Sequence, residues 1–116
     1  MQSEDLPKER PVSPEDLLAL IVVAIGRLDA SMNGLHDQDE LWERLYKART
    51  LLDEKHKLLL KAELQADDAE FQRLTGDLQS ATEKLNAKIG DMTKIDSILK
   101  IVSEIASNAD SILKLV

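Results

Sequence analysis

The sequence predicts an all-α chain: a long antiparallel helical hairpin preceded by an apolar helix, coiled-coil-like, its four-helix core completed by dimerisation. Two observations lead there. From Phe71 to the last residue, apolar side chains recur at alternating spacings of three and four. The series runs Phe71, Leu74, Leu78, Ala81, Leu85, Lys88, Met92, Ile95, Leu99, Val102, Ala106, Ala109, Leu113 and Val116, and only Lys88 breaks it. A repeat averaging about 3.5 residues keeps one stripe facing a partner helix along its whole length. The second observation is composition. Leu, Ile, Ala, Glu and Lys dominate, Trp42, Tyr46 and Phe71 are the only aromatics, and no segment alternates as a strand does.

Residues 1–12 are polar, contain Pro7 and Pro11, and carry too little apolar surface to offset the entropy of ordering. They read as a loose tail before a single helical domain over 13–116. Ser13 can cap the first helix, Pro14 suits its first position, and Glu15 and Asp16 favour the positive end of its dipole. It should run to about Asn33, where Gly34 offers a left-handed terminator. One stripe of this helix is Leu17, Leu20, Ile21, Ala24, Leu28 and Met32, and another is Leu18, Val22 and Ile25. The remaining side, Ala19, Val23, Gly26 and Ala30, is small rather than charged. A helix apolar all round is normally buried all round, so more helices must cover it, from this chain or a second copy.

Asp37 or Asp39 can cap the second helix, which reads to about Leu64 with Leu41, Leu45, Ala48, Leu52, Leu59 and Ala62 on one stripe. Lys55 interrupts that stripe. The pattern then shifts phase over 65–68, where Asp67 with Glu70 resembles a capping box and the chain should turn back. Beyond Lys94 the third segment gains a second seam of Ile98, Ile101, Ile105, Ile112 and Leu115, interrupted by Asn108. It lies about 100° around the helix from the first. Lengths place helix two antiparallel to 68–94 and helix one beside 95–116, leaving the second seam for isologous two-fold pairing. The alternative is a compact four-helix bundle, in which Gly90 ends one helix and Thr93 with Asp96 caps a fourth. Because the seam keeps phase across Gly90, a continuous or kinked helix is the primary expectation.

Composition narrows the function. A net charge of −7 without any Lys/Arg run leaves no basic surface for nucleic acid. The absence of cysteine removes thiolate metal sites and Cys nucleophiles. The longest apolar run, 17–25, is half a membrane span, and residues 1–12 lack the features of a secretory signal, so a cytoplasmic location is expected and a membrane is not. His36 and His56 are the only histidines. The acidic residue three before His56 is faintly like the Glu-x-x-His of di-iron bundles, which need two such motifs and two more inward carboxylates. Asp37 to Glu40 lacks the glycine turn of a calcium loop, the glycines at 26, 34, 76 and 90 form no phosphate loop, and the serines at 97, 103, 107 and 111 have no histidine to activate them. The chain is expected to be no enzyme and to hold no cofactor or metal.

Binding is a better match to its residues. Trp42, Tyr46 and Arg49 lie at spacings of four and three, and these residue types dominate binding hot spots. Leu18, Val22 and Ile25 on the first helix, with Ile98, Ile101, Ile105 and Ile112 on the last, form the second candidate surface, for self-association or a partner. The resulting expectation is a regulator or scaffold of inhibitor, anti-activator, chaperone or adaptor type. It would pair with itself and bury the apolar surface of an unidentified protein. A membrane-active helical protein is the alternative.

Overall fold

In the computed structural model, which describes residues 12–35, 38–65 and 67–116, four helices follow in order. They are α1 Pro14–Met32, α2 Asp39–Lys61, α3 Ala69–Lys88 and α4 Ile95–Leu113, the last entered through a single 3-10 turn at Met92–Lys94. The start of α1 is built as its sequence implies. The Asp16 amide donates to Ser13 Oγ at 3.1 Å and the Ser13 amide donates to Asp16 Oδ2 at 3.2 Å, a reciprocal capping box. Its end is not. Among the described residues no glycine has a positive φ, and the chain leaves α1 through tight turns from Gly34 to Ser31 and Leu35 to Met32, which tuck Leu35 into the core.

Two other caps shift from their predicted residues. The cap of α3 is Asp68, not Asp67: its carboxylate accepts from the amides of Glu70 at 2.8 Å and Phe71 at 3.4 Å. Gln38 precedes α2 without a side-chain bond, Asp39 is its first residue, and Asp37 lies outside the described residues. The second helix also ends at Lys61, short of Leu64.

The larger correction is at residues 89–94, where the predicted continuous helix is broken. Asp91 makes the turn, not the predicted Thr93 and Asp96 pair. Its Oδ1 accepts from the Thr93 amide at 3.0 Å and from Thr93 Oγ1 at 2.6 Å, while its own amide bonds the Lys88 carbonyl. Lys88 is the last residue of α3, half-buried, where a cation suits the negative end of the helix dipole.

After the break α4 returns alongside α3. Around the bundle, α1 packs on α2 and α3, and α4 packs on α2 and α3. The hairpin partners α1/α2 and α3/α4 are antiparallel, and α1/α3 and α2/α4 run parallel. Two ion pairs join the parallel α2/α4 pair, Arg44 to Asp96 at 2.9 Å and Lys55 to Asp110 at 2.8 Å. Lys55, which interrupts the stripe of α2, is thus a cross-link between helices. This arrangement reverses the predicted pairing of helix two with 68–94 and helix one with 95–116. It also replaces the hairpin-plus-dimer expectation with a compact four-helix fold.

Both seams of the last helix are covered inside one chain. The side carrying Asp96 and Asp110 meets α2, and the side carrying Glu104 and Asn108 shares a groove with α3. Ile98, Ile101, Ile105 and Ile112 are buried, as are Val102, Ala106 and Ala109. Opposite them stand Leu45, Leu52 and Leu59 of α2 and Phe71, Leu78 and Leu85 of α3, all buried, with Leu17, Ile21 and Leu28 completing the core from α1.

Two outcomes follow from these local structures. Gly76 sits inside α3 with nothing within 4 Å of a Cβ placed on it. Gly76→Ala should therefore stabilise the fold by about 0.5–1 kcal/mol through helix propensity, read as a higher urea midpoint; an unchanged or lower midpoint contradicts the open position. The bonds from Thr93 hold the Asp91 carboxyl below the usual aspartate range. A carboxylate with a depressed folded pKa contributes stability above its unfolded pKa and loses it as pH falls through the folded value. The Thr93 amide resonance should titrate with a midpoint below that of an unfolded aspartate, and in Asp91→Asn this titration should vanish.

Candidate docking surfaces

Of the four adjacent helix pairs, the parallel helices α1 and α3 are the least closely packed. The two are tied at their ends. At the lower end the Val12 amide donates to Gln72 Oε1 at 2.9 Å, and Gln72 Nε2 donates back to the Val12 carbonyl at 2.9 Å. At the upper end Ser31 Oγ donates to the Ile89 carbonyl at 2.9 Å. Between these clamps runs a groove of about 440 Å³ lined by Val12, Asp16, Ala19, Leu20 and Val23 on one side and Gln79, Thr82, Glu83 and Asn86 on the other. A second concavity of about 450 Å³ continues it upward past Arg27 and Ala30 to Ile89.

The cause of the gap is a polar seam that a search for apolar periodicity passes over. Gln72, Thr75, Gln79, Thr82 and Asn86 recur at spacings of three and four, one stripe round from the apolar seam of α3. Thr75 and Thr82 are buried, and Thr82 Oγ1 bonds its own helix at the Leu78 carbonyl, 2.9 Å away. Short hydroxyls and amides leave less apolar contact for α1 than leucines would. Periodicity of uncharged polar residues was the available signal.

On α1, Leu18 is half-buried and Ile25 is buried, while Val22 is 51% and Val23 46% exposed. Ala19, Gly26 and Ala30 are exposed beside them, and no atom lies within 4 Å of a Cβ built on Gly26. The outer side of α1 is thus apolar, small and open. By contrast Ile98, Ile101, Ile105 and Ile112 lie in the core, so they present no surface to any partner. The prediction that they form a docking face is corrected: α2 and α3 cover both sides of α4.

The aromatic edge of α2 is brought together as its spacing implies. Trp42 and Tyr46 stack with ring centroids 5.1 Å apart and planes 7° from parallel, and both stay partly exposed. Arg49 has a different role. Its Nε donates to Asp29 Oδ1 at 3.0 Å, which ties α2 to α1.

Among the described residues no three of His, Asp and Glu converge as a metal site requires, and no helix is long and apolar enough to cross a membrane. No protein-family model matches the chain, and no curated protein or solved structure does.

Thr75 tests the polar seam. Its hydroxyl is buried with no hydrogen-bond partner among the described residues, and such a group costs about 1–3 kcal/mol in desolvation. Thr75→Val should raise the thermal midpoint. A fall would show that the hydroxyl holds a partner in solution.

Proposed function

We propose that this chain is a non-enzymatic protein-binding module of regulator or scaffold type, which buries a partner's apolar surface on the outer side of α1. The observation that carries the reading is the half-exposure of Val22 and Val23 beside exposed Ala19, Gly26 and Ala30. A small domain whose core is already complete has no internal use for that face, and contiguous apolar patches on soluble proteins mark interaction sites. Gly26 supports the reading. Glycine inside a helix costs about 1 kcal/mol relative to alanine, and among the described residues nothing approaches closely enough to need it. A partner helix packed on this face would.

Inhibitor, anti-activator, chaperone and adaptor all act through such a surface by occlusion or bridging. A second copy of the chain would compete for it, since the isoleucines of α4 expected to carry self-association are inside the fold. Glu15 and Asp16 at the base of α1 oppose an anionic membrane surface, which disfavours the membrane-active alternative.

The test is affinity capture with the wild-type chain and with Val22→Asp, whose side chain is at the surface and whose folding is checked by circular dichroism. A protein retained by the wild type and lost with Val22→Asp supports the reading. Retention by both, or by neither, contradicts it.

A further inference from the structure

The groove between α1 and α3 has the geometry of a vacant helix site, and its charges select the occupant. On the α1 wall Asp16, Leu20 and Val23, continued by Arg27 and Ala30 in the upper concavity, recur at spacings of four and three; on the α3 wall Gln79, Thr82 and Asn86 recur at spacings of three and four. Two parallel walls, each with an average repeat of about 3.5 residues, keep their stripes facing one cylinder along several turns. An extended peptide, with a side-chain period of two, would match neither wall. The walls are also unlike each other. Leu20, Val23 and Ala19 offer apolar contact, while Gln79 and Asn86 offer amides. The natural occupant is therefore amphipathic.

Charge then decides between a second copy and another protein. Among the described residues the formal charges lining the lower groove are Asp16 and Glu83, both acidic. They face the groove from opposite walls, Asp16 from α1 and Glu83 from α3. Arg27 stands further up, in the upper concavity. Two copies meeting through the lower groove would bring like carboxylates together, each chain carrying a net charge of −7. A helix with Lys or Arg flanking its apolar stripe would instead pair with both acids. Resting on the protein-binding reading above, we propose that the α1/α3 groove is a docking site for a basic amphipathic helix of another protein, gripped by Leu20 and Val23 and oriented by Asp16 and Glu83.

The probe is a synthetic five-turn Leu/Lys amphipathic peptide carrying a fluorophore, with a Leu/Glu peptide of the same apolar pattern as its counterpart. Anisotropy titrations use the full chain at low and high salt. The Leu/Lys peptide should bind and the Leu/Glu peptide should not, with affinity falling as salt rises. Glu83→Lys should weaken binding about tenfold. Glu54→Lys makes the same charge change on exposed α2 outside the groove and should weaken it far less. Val23→Asp, at an exposed wall position, should abolish binding while circular dichroism stays unchanged.

Equal losses from Glu83→Lys and Glu54→Lys would mean attraction to net charge only and overturn the site. Binding of both peptides alike overturns the charge selection. Binding of neither overturns the proposal. If Val23→Asp then halves the mass seen by light scattering, a second copy is the occupant. Partner capture that depends on Val22 could survive any of these failures, so loss of this proposal is distinguishable from loss of the protein-binding reading.

Discussion

Both apolar seams of α4 have to leave water at once, and this constraint organises the molecule. Ile98, Ile101, Ile105 and Ile112 lie on one side, and Val102, Ala106 and Ala109 lie on the other. A helix continuing in line from α3 could never touch α3, so one seam would remain exposed. Burying an isoleucine side chain is worth about 1.5–3 kcal/mol, whereas a backbone hydrogen bond given up at a helix break is worth about 0.5–1.5 kcal/mol net. Residues 89–94 also recover much of that loss, because Asp91 and Thr93 satisfy the turn locally. Folding back wins by a wide margin.

The return of α4 makes two parallel helix pairs, and they are not alike. The α2/α4 pair is cross-linked by Arg44–Asp96 and Lys55–Asp110. The α1/α3 pair is clamped at its ends, by Val12 with Gln72 and by Ser31 with Ile89. Between those clamps α3 presents hydroxyls and amides, and α1 keeps Val23 and Ala19 partly in water. Charged cross-links mark one flank and an open groove the other. The same helix, α1, supplies a quarter of the buried apolar residues among those described with its inner stripe, and the candidate docking face with its outer one.

Much of this was legible in the residues. The all-α class, the Ser13 cap, the inner stripe of α1 and the seam of α3 all follow from short-range rules, and each is local to one helix. The break was harder to see, because spacings of three and four persist through Lys88, Met92 and Ile95 even though the helix does not. Phase alone carries no information about continuity; the polar Lys88 in the seam and Gly90 just after it carried some. Helix pairing was not legible, since it depends on where α4 lies after the turn. The isoleucines of α4 consequently read as an open surface when they are core. The α1/α3 groove was missed for a different reason: its α3 wall repeats in Gln, Thr and Asn, which hydrophobic periodicity ignores.

A spin-label distance between positions 80 and 107 tests the fold-back most directly. Ser80 and Ser107 line the same groove between α3 and α4, and a chain without cysteine accepts Ser80→Cys and Ser107→Cys labels cleanly. Packed helices lie about 8–10 Å apart, so labels across one groove should fall within roughly 20 Å, in samples diluted with unlabelled chain. In a continuous helix over 71–116 the same positions would be about 40 Å apart at 1.5 Å per residue. A fold-back at residues 89–94 gives the short distance; a distribution centred near the long one rules it out.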